Sequence, residues 1–263
     1  MTGPQRIVCM TEETTEALYL MGQEHRIVGI SKYTVRPPRA KDEKPMVSHF
    51  IKADIKAIVA LKPDLVLGFS DLQADICAEL IKAGIEVYCL NHRSVAGIIE
   101  MVRRLGRLVD AADKGEELAI SMETAVAAAK EAATRLNVRP RIFFEEWPDP
   151  IITSICWVSE LIEIAGGIDC FSELQGESLA KNRIVSADDV LERQPDIYLG
   201  CWCGRDFDPK LVRKRPGFAD ARFTQDDRMQ EVPASIMLQP GPASIIDGLP
   251  LLMEIVREFA STE

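Results

Sequence analysis

The sequence predicts an α/β protein of two Rossmann-like lobes with parallel sheets, joined by a single long α-helix, with a ligand cleft between the lobes. Three observations predict this. Short apolar runs alternate with segments of helical spacing, the pattern of a parallel sheet whose faces are covered by helices. A block of about fifteen residues, Asp54 to Gly68, is echoed by Ser186 to Gly200, and each copy reads as an amphipathic helix, a Pro-Asp turn and a buried strand ending in Gly. Between the halves, from about Val109 to Leu136, a stretch rich in Ala, Glu and Lys has no Pro and one Gly, which suits one stiff helix. The lobes are therefore expected at 1–108 and 138–263, with 109–137 connecting them.

The first strand is Arg6 to Met10. Thr11 or Thr14 can cap the helix that follows, Glu12 and Glu13 suit its positive end, and Ala17, Leu18, Leu20 and Met21 keep helical spacing up to Gly22. Then come a strand at Ile27 to Ile30, a Pro-marked loop at Val35 to Arg39, a helix from about Asp54 to Leu61, a strand at Leu65 to Phe69, a helix from about Asp71 to Ala83 and a strand at Glu86 to Leu90. The second half opens with the strand Arg141 to Phe144. Its segment Val158 to Gly167 weakly repeats Thr14 to Gly22, and Ile197 to Gly200, a helix near Asp208 to Arg213 and a final helix from about Ile246 to Ala260 follow.

With 47% hydrophobic and 27% charged residues in 263, the chain has the composition of an ordinary globular protein, not of a disordered or fibrous one. Its net charge of -10, from 31 Lys and Arg against 41 Asp and Glu, lacks the positive field that holds phosphate backbones or anionic lipid, so no nucleic-acid partner is expected. No window approaches the ~20 consecutive apolar residues of a membrane span, and no membrane insertion is expected. Seven cysteines, mostly inside apolar runs, suggest buried thiols in a reducing compartment. With Met1 leading directly into the first strand, the expectation is a cytoplasmic, monomeric protein; the alternative is a periplasmic one whose signal peptide has been removed.

In open α/β sheets ligands bind beyond the carboxyl ends of the strands. The residues placed there include Tyr33, Phe50, Phe69, Ser70 and Asp71 in the first lobe and Trp147, Trp157 and Trp202 at or near strand ends in the second. As a set these aromatics suit the walls of a large, flat, partly apolar ligand. Catalytic constellations are weaker. His49 or His92 has no G-x-S-x-G elbow to work with, Cys201 and Cys203 lack the second pair of a zinc site, and Glu145 and Glu146, being adjacent, point to opposite faces. Walker A and G-x-G-x-x-G motifs are absent.

The opening RIVCMTEETTEALYLMGQEHRIVGISKY, the Pro37-Pro38 loop, and the blocks IVALKPDLVLG, GIEVYCL, WVSELIEIAGGID, VLERQPDIYLG and LQPGPASIIDGL occur in this order. Together the chain resembles the helical-backbone substrate-binding proteins of ABC importers, a class that includes cobalamin, ferric-siderophore and haem binders, and it is most similar to the cobalamin-binding branch. The resemblance implies a non-enzymatic protein that holds cobalamin or a related corrinoid as its ligand, with no catalytic cofactor. It places Tyr33, Phe50 and Phe69 of the first lobe and Trp147 of the second at aromatic contacts. It also places the loop Leu238 to Pro242 at polar contacts, where Gln239, Pro240 and Gly241 replace the family's charged residues. Ser70, Asp71 and Gln239 would meet the ligand's amides, and His49 and His92 are weak candidates for an axial ligand of cobalt.

Transport members carry a permease-docking glutamate in each lobe. Here the positions hold Lys56 and Asp188, with Asp54 and Glu192 nearby, so the reversed sign points to a cytoplasmic relative serving storage, delivery or sensing. A ferric siderophore or haem is the alternative ligand, for which Arg36, Arg39, Arg183 and Arg205 are candidate contacts. A corrinoid-modifying enzyme using Glu145 or a cysteine is the alternative from another class.

Overall fold

The structure, a computed structural model, describes residues 3–225 and 228–262. The chain divides into two compact units, one formed by residues up to His92 with Ala96–Glu123, the other by Arg93–Val95 with Thr124 onward. In the first unit the elements run β1 (Ile7–Cys9), α1 (Glu12–Leu20), β2 (Ile27–Ser31), α2 (Ala40–Glu43), β3 (Met46–His49), β4 (Lys52–Ala53), α3 (Ile55–Ala60), β5 (Leu65–Phe69), α4 (Ala74–Lys82) and β6 (Val87–Leu90). The helices α5 (Val95–Leu108) and α6 (Ala112–Ala133) follow. The sheet order is β4-β3-β2-β1-β5-β6, parallel except for the β3–β4 edge pair. Every residue of β1 and β5 is buried, as expected of central parallel strands covered on both faces, which is why they read as unbroken apolar runs.

The second unit contains β7 (Arg141–Pro148), β8 (Ile151–Thr153), α7 (Cys156–Ile164), β9 (Ile168–Asp169), α8 (Ala187–Glu192), β10 (Ile197–Gly200), α9 (Pro209–Arg213), β11 (Met229–Glu231), α10 (Ala234–Met237) and α11 (Leu249–Thr262). Its sheet runs β11-β10-β7-β8, with β9 also on β7. Only the β7–β8 hairpin is antiparallel. The core around β7 and β10 is aromatic. Phe143, Phe171, Tyr198, Trp202, Phe207, Phe218 and Phe223 are all buried in it, and several pairs meet edge to face.

The repeat in the sequence is a repeat in three dimensions. Asp54 caps α3 by accepting from Ala57 N at 2.9 Å, and Ser186 caps α8 through a capping box with Asp189. Each helix then ends on a residue in the left-handed region just before the proline, Lys62 at φ 47° and Gln194 at φ 49°. The following aspartates do the same work. Asp64 accepts from Gln5 N at 2.7 Å and Arg6 N at 2.8 Å, and Asp196 accepts from Arg141 N at 2.8 Å. The arginine so held turns its own guanidinium onto the end of the helix, Arg6 to the carbonyls of Leu61 and Lys62 and Arg141 to that of Arg193. This fixes the registers Ile7↔Leu65 and Ile142↔Ile197. Two units therefore share one latch built from an arginine and a Pro-Asp turn.

Helices α5 and α6 meet at glycines. A Cβ on Gly106 would lie 2.8 Å from the Gly115 Cα, and one on Gly115 would lie 2.9 Å from the Gly106 Cα. Among the described residues no helix is long and apolar enough to cross a membrane.

Candidate functional site

In the first unit the carboxyl ends of β2, β3 and β5 carry the aromatic candidates. Tyr33, just beyond β2, is 52% exposed, and its amide donates to Ser31 Oγ at 3.2 Å. The ring of His49, the last residue of β3, meets the Tyr33 ring edge-on with centroids 5.9 Å apart. Phe50 follows it, half-buried. Phe69 ends β5, buried, with the His92 ring edge-on at 5.2 Å. Both axial-ligand candidates thus pack against aromatic candidates.

The fully buried amide of Gln73 ties two of these positions together. Its Oε1 accepts from Phe69 N at 2.9 Å and its Nε2 donates to Phe50 O at 2.8 Å. Sequence reasoning missed Gln73, because nothing local distinguishes it from any helix-start glutamine; only the folded chain brings the residue after β3 to the loop after β5. Ser70, buried and at φ 64°, turns the chain and accepts from Leu72 N at 3.3 Å. Asp71 is exposed.

At the end of β1 lies a buried carboxyl. Glu13 accepts from Thr11 Oγ1 at 2.5 Å and is 1% exposed. Burial outweighs that hydrogen bond and pushes its pKa up to about 8. Glu16, also buried, is engaged by Arg36 at 2.8 Å.

In the second unit Glu145 and Glu146 at the end of β7 turn to opposite faces, and each meets an arginine. Glu145 is fully buried and accepts from Trp202 Nε1 at 2.7 Å, from Tyr198 Oη and from both terminal nitrogens of Arg215. Arg215 also donates to Tyr198 Oη at 2.7 Å and to Pro148 O at 2.9 Å. Desolvation and the neighbouring carboxylate drive the Tyr198 hydroxyl well above the usual tyrosine range. Glu146 accepts from the buried Arg183 at 2.7 Å, and the same guanidinium donates to Thr153 O. These ion pairs lie on either side of the β7–β8 hairpin that presents Trp147, whose Nε1 donates to Asp149 O at 2.9 Å.

The remaining tryptophans are placed differently from Trp147. Trp157, in α7, is 2% exposed with its Nε1 on Met237 O at 2.8 Å, and Trp202 is 3% exposed within the aromatic core. Both are buried within their own unit, where each indole N–H finds its acceptor. Gln239, after α10, is half-buried.

The arginines considered for an anionic ligand are all engaged. Arg36 pairs with Glu16, Arg39 with Glu24 and Glu43 at 3.1 Å, Arg183 with Glu146, and Arg205 lies 4.8 Å over the Trp202 ring. Burial also silences several thiols as nucleophiles. Cys9 and Cys170 are pushed up to about 12, and Cys201 higher still.

Three comparisons give this arrangement its context. The model of a family described as periplasmic binding protein matches residues 7–235. A vitamin B12-binding protein of Vibrio campbellii is 28% identical over 74% of this chain and 70% of its own length, and an ABC transporter substrate-binding lipoprotein of Bacillus subtilis, YvrC, is 23% identical over 96% and 80%. The solved periplasmic haem-binding protein RhuT of Roseiflexus has the same fold, with a TM-score of 0.82 at 22% identity over 98% of this chain and 99% of that one. These findings correct the expected cytoplasmic location: relatives named as periplasmic proteins and as a lipoprotein point outside the cytoplasm. The physical reason for the error is that burial within the fold, and not a reducing compartment, accounts for Cys9, Cys77, Cys170 and Cys201. The chain therefore belongs to the periplasmic binding protein family, as a non-enzymatic substrate-binding protein of the two-lobed type that serves ABC importers.

Proposed function

We propose that the chain binds a corrinoid, with Tyr33, Phe50, Phe69 and Trp147 supplying flat apolar contact and Ser70, Asp71 and Gln239 supplying polar contact to the ligand's amides. The observation that carries this reading is the commitment of the arginines. Arg36, Arg39 and Arg183 are neutralised by carboxylates, and Arg205 lies on an indole. The exposed or half-buried candidates Tyr33, Phe50, Trp147 and Gln239 offer aromatic and amide surface, which suits an amide-decorated ring better than the anionic groups of a siderophore or the propionates of haem. The vitamin B12-binding relative at 28% identity supports the same reading.

Delivery to the permease of an importer completes the proposal. Lys56 in α3 and Asp188 in α8 are both exposed at matching places in the repeated helix, so a complementary permease would present charges of opposite sign to the two units.

The test is a spectroscopic titration of the full-length protein with cyanocobalamin, aquocobalamin and cobinamide, using haemin and a ferric siderophore as controls. One-to-one corrinoid binding is expected, weakened about 10-fold or more by Trp147→Ala or Phe69→Ala, since each aromatic contact is worth on the order of 1–3 kcal/mol. A spectral change confined to the aquo form would assign His49 or His92 to cobalt. Haemin binding without corrinoid binding would overturn the proposal.

A further inference from the structure

The first unit holds a pair of thiols that ligand binding does not use. Cys77 lies in α4 and is buried; Cys89 lies in β6 and is exposed. They are twelve positions apart in sequence, with one helix end and one turn between them. The fold brings them together through Gly68. In the parallel pair β5–β6, Gly68 is the register partner of Cys89, so the two point to the same face of the sheet. On that face the Cys77 Sγ comes within 3.1 Å of the place where a Gly68 Cβ would stand. A side chain at position 68 would fill the space that the sulfur occupies. Burial, with the neighbouring Cys89 thiol adding to it, pushes the Cys77 thiol up to about 11. Cys89 Sγ also lies 3.6 Å from Ser70 O.

We propose that Cys77 and Cys89 form a disulfide that ties α4 to β6 when the protein stands in an oxidising space. The placement outside the cytoplasm makes this chemistry available, since disulfides persist there. The order of events follows from exposure. The exposed Cys89 sulfur attacks a small disulfide, breaking its S–S bond, releasing one thiol and leaving a mixed disulfide on the protein. Cys77 then gives its proton to solvent, and its sulfur attacks Cys89 Sγ and expels the second small thiol. The protein loses two protons and two electrons, and the small disulfide gains both as it becomes two thiols. The new bond closes the segment 78–88 into a loop and braces β5 at the residue before Phe69. The brace acts on the backbone through Ser70 and Gln73, so the proposal stands whether or not the ligand is a corrinoid.

The test incubates the full-length reduced protein with oxidised glutathione, alkylates it under denaturing conditions and maps the cysteines by mass spectrometry. The peptides holding Cys77 and Cys89 are expected joined, two hydrogens lighter than their sum, within a single chain, with neither cysteine alkylated. The oxidised form should melt higher by about 5 °C. Cys203, the other exposed thiol, reports general reactivity by carrying a glutathione adduct. In Cys77→Ser the second step is blocked, so Cys89 should accumulate the glutathione adduct; in Cys89→Ser, Cys77 should remain alkylatable. Glutathione retained on Cys89 of the unsubstituted protein with Cys77 still alkylated, or Cys89 linked between two chains, would overturn the proposal.

Discussion

Glu145 shows how a residue that looks chemical in sequence becomes structural in the fold. Its carboxylate is enclosed by Tyr198, Trp202 and Arg215, donors from three segments, so each oxygen is spent on holding the second unit together. Arg215→Ala should therefore cost on the order of 3–5 kcal/mol in urea unfolding, because it strands a buried carboxylate. Glu145→Gln should cost less, because it strands no buried carboxylate and keeps one oxygen for the indole, although the oxygen that accepts from Tyr198 becomes an amide donor. Glu13 makes the opposite case, an acid whose burial outweighs the hydrogen bond it accepts from Thr11. Folded Glu13 keeps its proton up to about pH 8, whereas a free glutamate loses it near 4.5. The folded state thus binds more protons across that window, and its stability falls as pH rises through it. Glu13→Gln should flatten the stability profile between those limits and leave the variant more stable than the parent at pH 8 by more than about 1 kcal/mol; denaturant melts at several pH values read this directly.

At the scale of elements, the latch explains why the repeat was legible. A cap, a left-handed stop, Pro-Asp and an apolar strand are all local chemistry, so the two copies announce themselves without knowledge of the sheet. The same reading predicts that Asp196→Ala costs about 2 kcal/mol, because it strands the half-buried Arg141 amide, and that Asp64→Ala costs less, because the Gln5 and Arg6 amides it holds are open to water. Lys62→Gly and Gln194→Gly should each gain about 0.5–1 kcal/mol by relieving a left-handed backbone; thermal or urea melts check both pairs. Gly115→Ala should destabilise by about 1–3 kcal/mol although alanine is the better helix former, since its methyl would be driven into Gly106. Other elements were not legible or were passed over. The strands β3, β4, β8 and β11 are short, and their pairing partners are distant or set by a hairpin. Helix α5 shows buried Ile98, Ile99, Val102 and Leu105 at helical spacing, a signal present in the sequence that the expected order of elements left out. Two boundaries also moved: the helix expected from Asp71 begins as a 3-10 turn before α4, and the last helix follows a π-turn at Ser244–Gly248.

For the molecule as a whole, the two-lobed α/β class followed from alternation and repetition, but the character of the candidate site did not. Tyr33, Phe50, Phe69 and Trp147 could be placed at strand ends from sequence because strand ends are where apolar runs stop. That Trp157 and Trp202 turn inward was hidden, because their acceptors, Met237 O and Glu145, lie far along the chain. The pairing of the arginines was hidden for the same reason, with Arg36 reaching back to Glu16 and Arg183 to Glu146. Those pairings bear on kinetics as well as on ligand choice. A protein of net charge -10 in which Arg36, Arg39 and Arg183 are paired with carboxylates exerts little long-range pull on a neutral ligand. Its capture rate in stopped-flow mixing should change less than about 2-fold between 20 mM and 500 mM salt, whereas a steered anionic ligand would show a steep dependence. A scavenger built this way would gather its ligand at the same pace in fresh water and in brine.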